Sequence, residues 1–176
     1  ITIWVYYFFR DPERFPVNDD SFLVSPADGL VIDISEKTGP MELQLENTSY
    51  TKISIFMNVF NCHVNRTPLT GTIEEISYKP GKFLNASLDK ASDENERNYY
   101  KIKCAKSGEE IIIVQIAGLI ARRIVCEVEQ GQSLKQGDRI GMIRFGSRVD
   151  IFFKNKNVLA KIGQNVVAGE SLIASE

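Results

Sequence analysis

Apolar residues along this chain fall mostly at alternate positions or in short β-branched runs bounded by turn residues, the pattern of strands rather than helices. It predicts strands over residues 23–24, 30–34, 53–59, 72–78, 111–116, 124–128 and 149–153. Helical periodicity is scarce. The polar stretch 85–98, rich in Asp, Glu, Lys and Arg, reads as a solvated loop with a helical turn. Residues 1–9 are almost wholly apolar and stop at Arg10-Asp11-Pro12. Nine residues fall far short of the ~20 that span a bilayer. The run reads either as a first strand or as the end of a longer membrane helix, with Trp4, Tyr6, Tyr7, Phe8, Phe9 and Arg10 at the water interface.

Two internal repeats organise the rest. Ser25-Pro26-Ala27-Asp28-Gly29-Leu30-Val31 returns as Thr67-Pro68-Leu69-Thr70-Gly71-Thr72-Ile73. Gly131-Gln132-Ser133-Leu134 followed by Gly137-Asp138 returns as Gly163-Gln164-Asn165-Val166 followed by Gly169-Glu170. Proline stops a strand, and glycine lets the backbone turn before the next one. Such units resemble the halves of biotinyl/lipoyl-type domains, and the chain holds two sets. The expected body is mainly β: a mostly antiparallel barrel-sandwich hybrid with few short helices.

Composition narrows the function. Among 176 residues, 21 are basic and 23 acidic, for a net charge of −2, so nothing favours nucleic acid as a partner. His63 is the only histidine, which excludes multi-histidine metal sites and confines imidazole chemistry to one position. Cys62, Cys104 and Cys126 form no CxxC and no disulfide framework; they read as buried reduced thiols.

Four features could carry chemistry. Asp28 sits in a Pro/Gly turn, either as a turn cap or as a carboxylate that orients a histidine. His63 precedes the repeat counterpart of that turn, so two pseudo-equivalent turns could bring the pair together. Gly146-Ser147 reads as an ordinary turn, or as a site where the Ser147 hydroxyl attacks the Gly146 carbonyl with His63 as base. Arg122 and Arg123 end an apolar run, either as a solvated edge or facing an anionic headgroup.

Several motifs together resemble one family. Phe8-Phe9-Arg10-Asp11-Pro12-Glu13-Arg14, Ser25-Pro26-Ala27-Asp28-Gly29, Asn61-Cys62-His63-Val64-Asn65-Arg66-Thr67-Pro68, Tyr78-Lys79-Pro80-Gly81-Lys82-Phe83 and Phe145-Gly146-Ser147-Arg148-Val149-Asp150 occur in order across the chain. They resemble the phosphatidylserine decarboxylases of the short-form bacterial and archaeal branch. The resemblance implies a proenzyme that cuts itself between Gly146 and Ser147. A β chain of residues 1–146 and an α chain of residues 147–176 then stay together as one domain, residues 10–176. Ser147 becomes a pyruvoyl cofactor, which forms a Schiff base with the substrate, and no metal is involved. His63 serves as general base and acid, Asp28 orients it, and Arg66, Arg122 and Arg123 are candidates for substrate binding. Residues 1–9 become the remnant of a hydrophobic membrane segment. The implied partners are a phospholipid and the cytoplasmic membrane surface, where the protein is peripheral or N-terminally anchored, with room for a homo-oligomer.

Larger members of that family carry His-x-x-His-x-Pro; here the second histidine position is Arg66, so one imidazole must cover more than one duty. Three other readings stay open. An archaetidylserine decarboxylase would share the mechanism. A lipoyl-like carrier is suggested by Asp89-Lys90-Ala91, although Lys90 sits off-centre between the repeats. A membrane-associated barrel without enzymatic activity is the third.

Overall fold

The computed structural model describes residues 2–82, 84–87, 91–118, 123–144 and 147–176. Helix α1 (Thr2–Phe8) leads into β1 (Phe22–Val24), β2 (Gly29–Thr38), β3 (Ser49–Met57), β4 (Val64–Arg66) and β5 (Gly71–Lys79). A single turn, α2 (Ala91–Glu94), precedes β6 (Arg97–Cys104), β7 (Glu110–Ile116), β8 (Ile124–Cys126), β9 (Ser133–Leu134) and β10 (Arg139–Ile143). The chain closes with β11 (Ser147–Phe153), β12 (Asn157–Val158), β13 (Asn165–Val166) and β14 (Leu172–Ser175). The fold is mainly β, as expected.

Among the described residues the strands form three sheets. The largest has the order β13-β2-β3-β11-β7-β6-β5-β9, and the smaller ones are β1-β14-β12 and β4-β10-β8. Every ladder is antiparallel. One face of the large sheet, with Val31, Ile53, Ile55, Met57, Ile113, Val149 and Ile151, closes over the main core. The opposite face carries a smaller cluster built on Tyr50, Tyr99, Ile112, Val114 and Phe152. Alternation along β11 therefore aims Ser147 at the main core with Val149, and Arg148 and Asp150 at the other face.

The repeats are the frame of the molecule. Gly29 opens β2 and Gly71 opens β5, and each passes so close to a neighbouring strand that no side chain fits. A Cβ would lie 2.2 Å from the Phe56 carbonyl oxygen at Gly29 and 2.3 Å from that of Lys103 at Gly71. Val166 pairs with Gly29, and Leu134 with Gly71. The flanking bonds repeat as well: Val31 N–H donates to Gln164 O at 2.9 Å, and Ile73 N–H to Gln132 O at 2.9 Å. Both β2 and β5 then shift register, at Val31/Asp33 and at Ile73/Glu75.

Three expectations need correction. The polar stretch 85–98 holds α2 but also the start of β6, whose charged residues hid the alternation. Arg97, Tyr99 and Lys101 face one side of this strand, and Asn98, Tyr100 and Ile102 face the core. Residues 2–8 are helical, which removes the first-strand reading. Cys62 and Cys104 are buried, but Cys126 is exposed, because β8 ends at the surface there.

The two glycine crossings make a stability prediction. Gly29→Ala and Gly71→Ala force a methyl group into a backbone carbonyl, and overpacking of this kind costs about 1–3 kcal/mol. Urea unfolding of each variant should show a lowered midpoint with an unchanged slope, whereas Gly131→Ala, with nothing within 4 Å, meets only the penalty of its positive φ.

Candidate active site

His63 lies just before β4 and is fully buried. Its Nδ1 is 3.0 Å from the Asn61 carbonyl oxygen. A carbonyl only accepts, so Nδ1 carries the proton and Nε2 the lone pair. Nε2 is buried with no hydrogen-bond partner among the described residues. The ring lies against Phe8, with centroids 4.3 Å apart and planes at 31°. Burial is the main cause that pushes the imidazole down to about 4, with Arg10 adding to it; the Asn61 carbonyl and the Asp28 charge work the other way. The ring is therefore neutral at pH 7.

Ser147 begins β11 and is fully buried, and its Oγ also has no partner among the described residues. Strand β11 is clamped on both sides, with Ser147 opposite Met57 of β3 and Arg148 opposite Ile116 of β7. The Ile143 N–H reaches the His63 carbonyl at 3.4 Å, so β10 ends against the histidine. Four residue steps separate Ile143 from Ser147, which confines their Cα atoms to roughly 14 Å of each other. The site thus holds two buried polar atoms without partners, a serine hydroxyl and an imidazole lone pair, at neighbouring strand ends.

Asp28 makes no hydrogen bond to His63 among the described residues. Its Oδ1 accepts the Ala168 N–H at 2.8 Å, and one Arg14 nitrogen lies 3.0 and 2.9 Å from its two oxygens. The repeat counterpart does the same job, since Thr70 Oγ1 accepts the Gln136 N–H at 3.2 Å. Asp28 thus caps the facing turn, one of its two sequence readings, and the hydrogen bond at His63 Nδ1 goes to the Asn61 carbonyl. What Asp28 exerts on the imidazole is a field that favours its charged form.

Arg66 is likewise engaged within the protein. It is 7% exposed, and it donates to Gly137 O at 2.8 Å, to Asp11 at 2.7 Å and to Pro12 O at 3.1 Å. Asp11 also pairs with Arg139. A grip on substrate would require giving these contacts up. Arg123 is exposed beside β8; Arg122, Gly146 and Lys90 lie outside the described residues.

The residues that the sequence did not single out here are Phe8, Arg10 and Asn61. Arg10 donates to Tyr7 O at 2.8 Å and to Phe60 O at 3.0 Å, and its guanidinium lies 3.9 Å from the Tyr7 ring centre. Residues 7–14 are thereby laced over the His63 loop. The available signal was the FFRDPER string itself, an apolar end running straight into charges that need buried partners.

A cavity of about 620 Å3 lies elsewhere, on the other face of the large sheet, lined by Asp33, Glu42, Lys52, Arg97, Tyr99 and Asp150 among others. Its charges largely pair with one another: Lys52 with Asp33 at 2.9 Å, and Arg97 with Glu42 at 3.5 Å. The sheet separates it from Ser147. No group of three potential metal ligands occurs among the described residues.

The buried imidazole makes stability depend on pH. Its folded value lies below the unfolded one, so the unfolded chain binds the extra proton as pH falls below about 6.5, and stability drops until about pH 4. The loss attributable to this group is about 3 kcal/mol in order of magnitude. Urea midpoints of Ser147→Ala and Ser147→Ala/His63→Gln, compared between pH 7 and 4.5, should converge as the pH falls. Parallel curves would exclude His63 as the source.

Comparison with known proteins places the chain in a family. The family model described as phosphatidylserine decarboxylase matches residues 1–174. A phosphatidylserine decarboxylase proenzyme of Pelagibacter ubique is 66% identical over 176 residues, covering 100% of this chain and 81% of that protein. Proenzymes of the same name from Ruegeria pomeroyi and Rickettsia akari are each 51% identical over 175 residues, covering 99% and 98% of this chain and 80% and 75% of those proteins. The chain belongs to the phosphatidylserine decarboxylase family.

Proposed function

We propose that this chain is a self-processing decarboxylase that converts phosphatidylserine to phosphatidylethanolamine and CO2. The observation that carries the reading is the buried Ser147 hydroxyl, unpartnered at the head of a clamped central strand, in a chain of this family. A buried serine hydroxyl with no protein partner is costly to hold, and it suits a nucleophile aimed at the peptide before it.

In the proposed maturation His63 Nε2 takes the Ser147 Oγ proton as Oγ attacks the Gly146 carbonyl carbon. The C–N bond breaks, an ester forms, and the Ser147 nitrogen is left as a free amine. Loss of the α-proton and of the Gly146 carboxylate then leaves dehydroalanine, and water converts it to a ketone with release of ammonia. The residues present fit the resulting group: the position is buried, and β11 is held on both sides after the cut. A pyruvoyl group there supplies the electron sink for decarboxylation. His63, neutral at pH 7, accepts and returns protons, with Asn61 fixing which nitrogen does so. The 147–176 piece contains β11, β13 and β14, each paired with strands of the larger piece, which keeps the two chains woven together.

Membrane contact belongs to the same proposal. Ile3, Tyr6, Phe15 and Phe60 are 86%, 80%, 73% and 63% exposed, and Arg10 ties α1 to the Phe60 loop. No helix among the described residues is long and apolar enough to cross a membrane. The exposed rings suit the headgroup boundary, with Arg123 as a further contact for anionic lipid.

Intact mass tests the maturation step. The wild type should appear as two pieces, residues 1–146 and 147–176, while Ser147→Ala stays one chain of 19.8 kDa. His63→Ala should cleave about 10²–10⁴-fold more slowly, the usual weight of a general base. A wild-type chain that remains whole in mixed micelles would rule the reading out.

Vesicle sedimentation tests the surface. Phe60→Ser should lower partition onto anionic vesicles roughly tenfold, since an apolar side chain withdrawn from water contributes about 1.5 kcal/mol or more. Deletion of residues 1–9 is the poorer test, because Phe8 is buried against His63. Unchanged partition of Phe60→Ser would move the contact to another face.

A further inference from the structure

We propose that Asn65 and Gln115 form a latch that sets the strand following His63 over the head of the Ser147 strand, so that both are positioning residues for the chemistry of this site. The inference rests on the functional reading above and deepens it.

The observation is a chain of buried polar side chains. Tyr100, Gln115 and Asn65 are all fully buried and face the main core from β6, β7 and β4. The Tyr100 hydroxyl lies 2.7 Å from Gln115 Oε1 and 3.2 Å from the Ile140 carbonyl. Gln115 Nε2 donates to Asn65 Oδ1 at 2.8 Å, and Asn65 Nδ2 lies 3.6 Å from Met57 Sδ. The single phenolic proton lies between two acceptors, Gln115 Oε1 and Ile140 O, and either way the two amides bond to each other.

The placement of this chain argues for more than filling space. His63 and Asn65 lie on one short segment, whose strand β4 belongs to the β4-β10-β8 sheet, while Ser147 belongs to the large sheet. No strand ladder joins those two sheets among the described residues. Strand β4 is only three residues long, and its ladder with β10 shifts register between Arg139 and Gly141. Backbone pairing therefore locates it weakly, and a slip of one residue would turn Asn65 away from the core.

Asn65 removes that freedom by touching both neighbours of β11. Met57 is the partner of Ser147 across the β3 ladder, and Gln115 is the partner of Val149 across the β7 ladder. The amide is therefore held at the head of β11 from two sides, two residues along the chain from the imidazole. A core of apolar residues would fill the same space, but it would not choose a register.

The test separates positioning from packing. Asn65→Leu and Gln115→Met each strand one buried amide, so each variant should be less stable and slower to cleave. The double variant strands neither amide, since Tyr100 keeps Ile140 O. It should regain most of the urea midpoint, yet cleave about 10²-fold more slowly, the scale of an ångström of misplacement in a reacting pair. Its matured fraction, assayed on phosphatidylserine in mixed micelles, should show a reduced kcat with KM unchanged. The reciprocal variant Asn65→Gln/Gln115→Asn keeps a hydrogen bond but moves it by a methylene, and it should fold and still cleave slowly. Wild-type cleavage rates in a folded double or reciprocal variant would overturn the latch. A wild-type chain that does not cleave points instead to failure of the functional reading, so the two failures are distinct.

Discussion

At Gly29 and Gly71 two strands cross so closely that a backbone carbonyl occupies the place of a side chain. These crossings determine where the rest of the chain can go. Each lets a strand bend, pair with a two-residue edge from the second repeat, and then slip register to reach the core. Because the crossings are related by the repeat, the turns before them face one another. Val24 N–H donates to Pro68 O at 3.1 Å, and Arg66 N–H to Pro26 O at 2.9 Å. The His63 segment and the Asp28 turn are thus joined by backbone rather than by a catalytic hydrogen bond. The Asp28 charge favours protonation of the imidazole, but no hydrogen bond joins the two side chains.

The consequence for His63 is an unusual degree of enclosure. Phe8 closes one face, the Asn61 carbonyl holds Nδ1, and the arginine-laced segment 10–14 covers the loop. Burial outweighs the Asp28 charge and keeps this imidazole neutral at physiological pH. That alters the logic expected of a one-histidine chain. A triad raises basicity with a carboxylate at Nδ1, whereas here a neutral carbonyl fixes the tautomer and burial keeps the lone pair free. Arg66, at the position where larger relatives carry histidine, is spent on holding Asp11, Pro12 and Gly137 in place.

Much of this was legible in the sequence, because repeats and glycines are local signals. Ser25–Gly29 and Thr67–Gly71 announced the duplicated turns, and β-branched runs announced β2, β3, β5, β7 and β11. Ser147 and His63 stood out because one is next to a glycine and the other is alone. The misses have a common cause. Strand β6 carries Arg97, Lys101 and Lys103, whose charges are accommodated by Glu42, Glu110 and Glu74 from elsewhere in the chain. The polar stretch read as a loop, 85–98, overlapped its first two residues, and 99–104 drew no strand reading. Phe8 read as a membrane residue because nothing local shows that an imidazole 55 positions away will meet it. Asn65 and Gln115 are ordinary polar letters until the topology brings β4 and β7 together.

Two unpartnered polar atoms in one core region would ordinarily be a defect, since each buried group left unbonded costs about 1–3 kcal/mol. On the proposed reading the cost has a use. The serine hydroxyl is held without a competing partner, so nothing must be broken before it attacks, and the imidazole lone pair is likewise unclaimed. Burial lowers the basicity of the imidazole, so what it offers the serine rests on position, which protein contacts must define. Strand pairing does this for Ser147 along β11. For His63 the backbone ladder is too short, and side chains must supply the constraint: Phe8 from one side, the Asn61 carbonyl within the loop, and the Asn65 amide through the strand that follows.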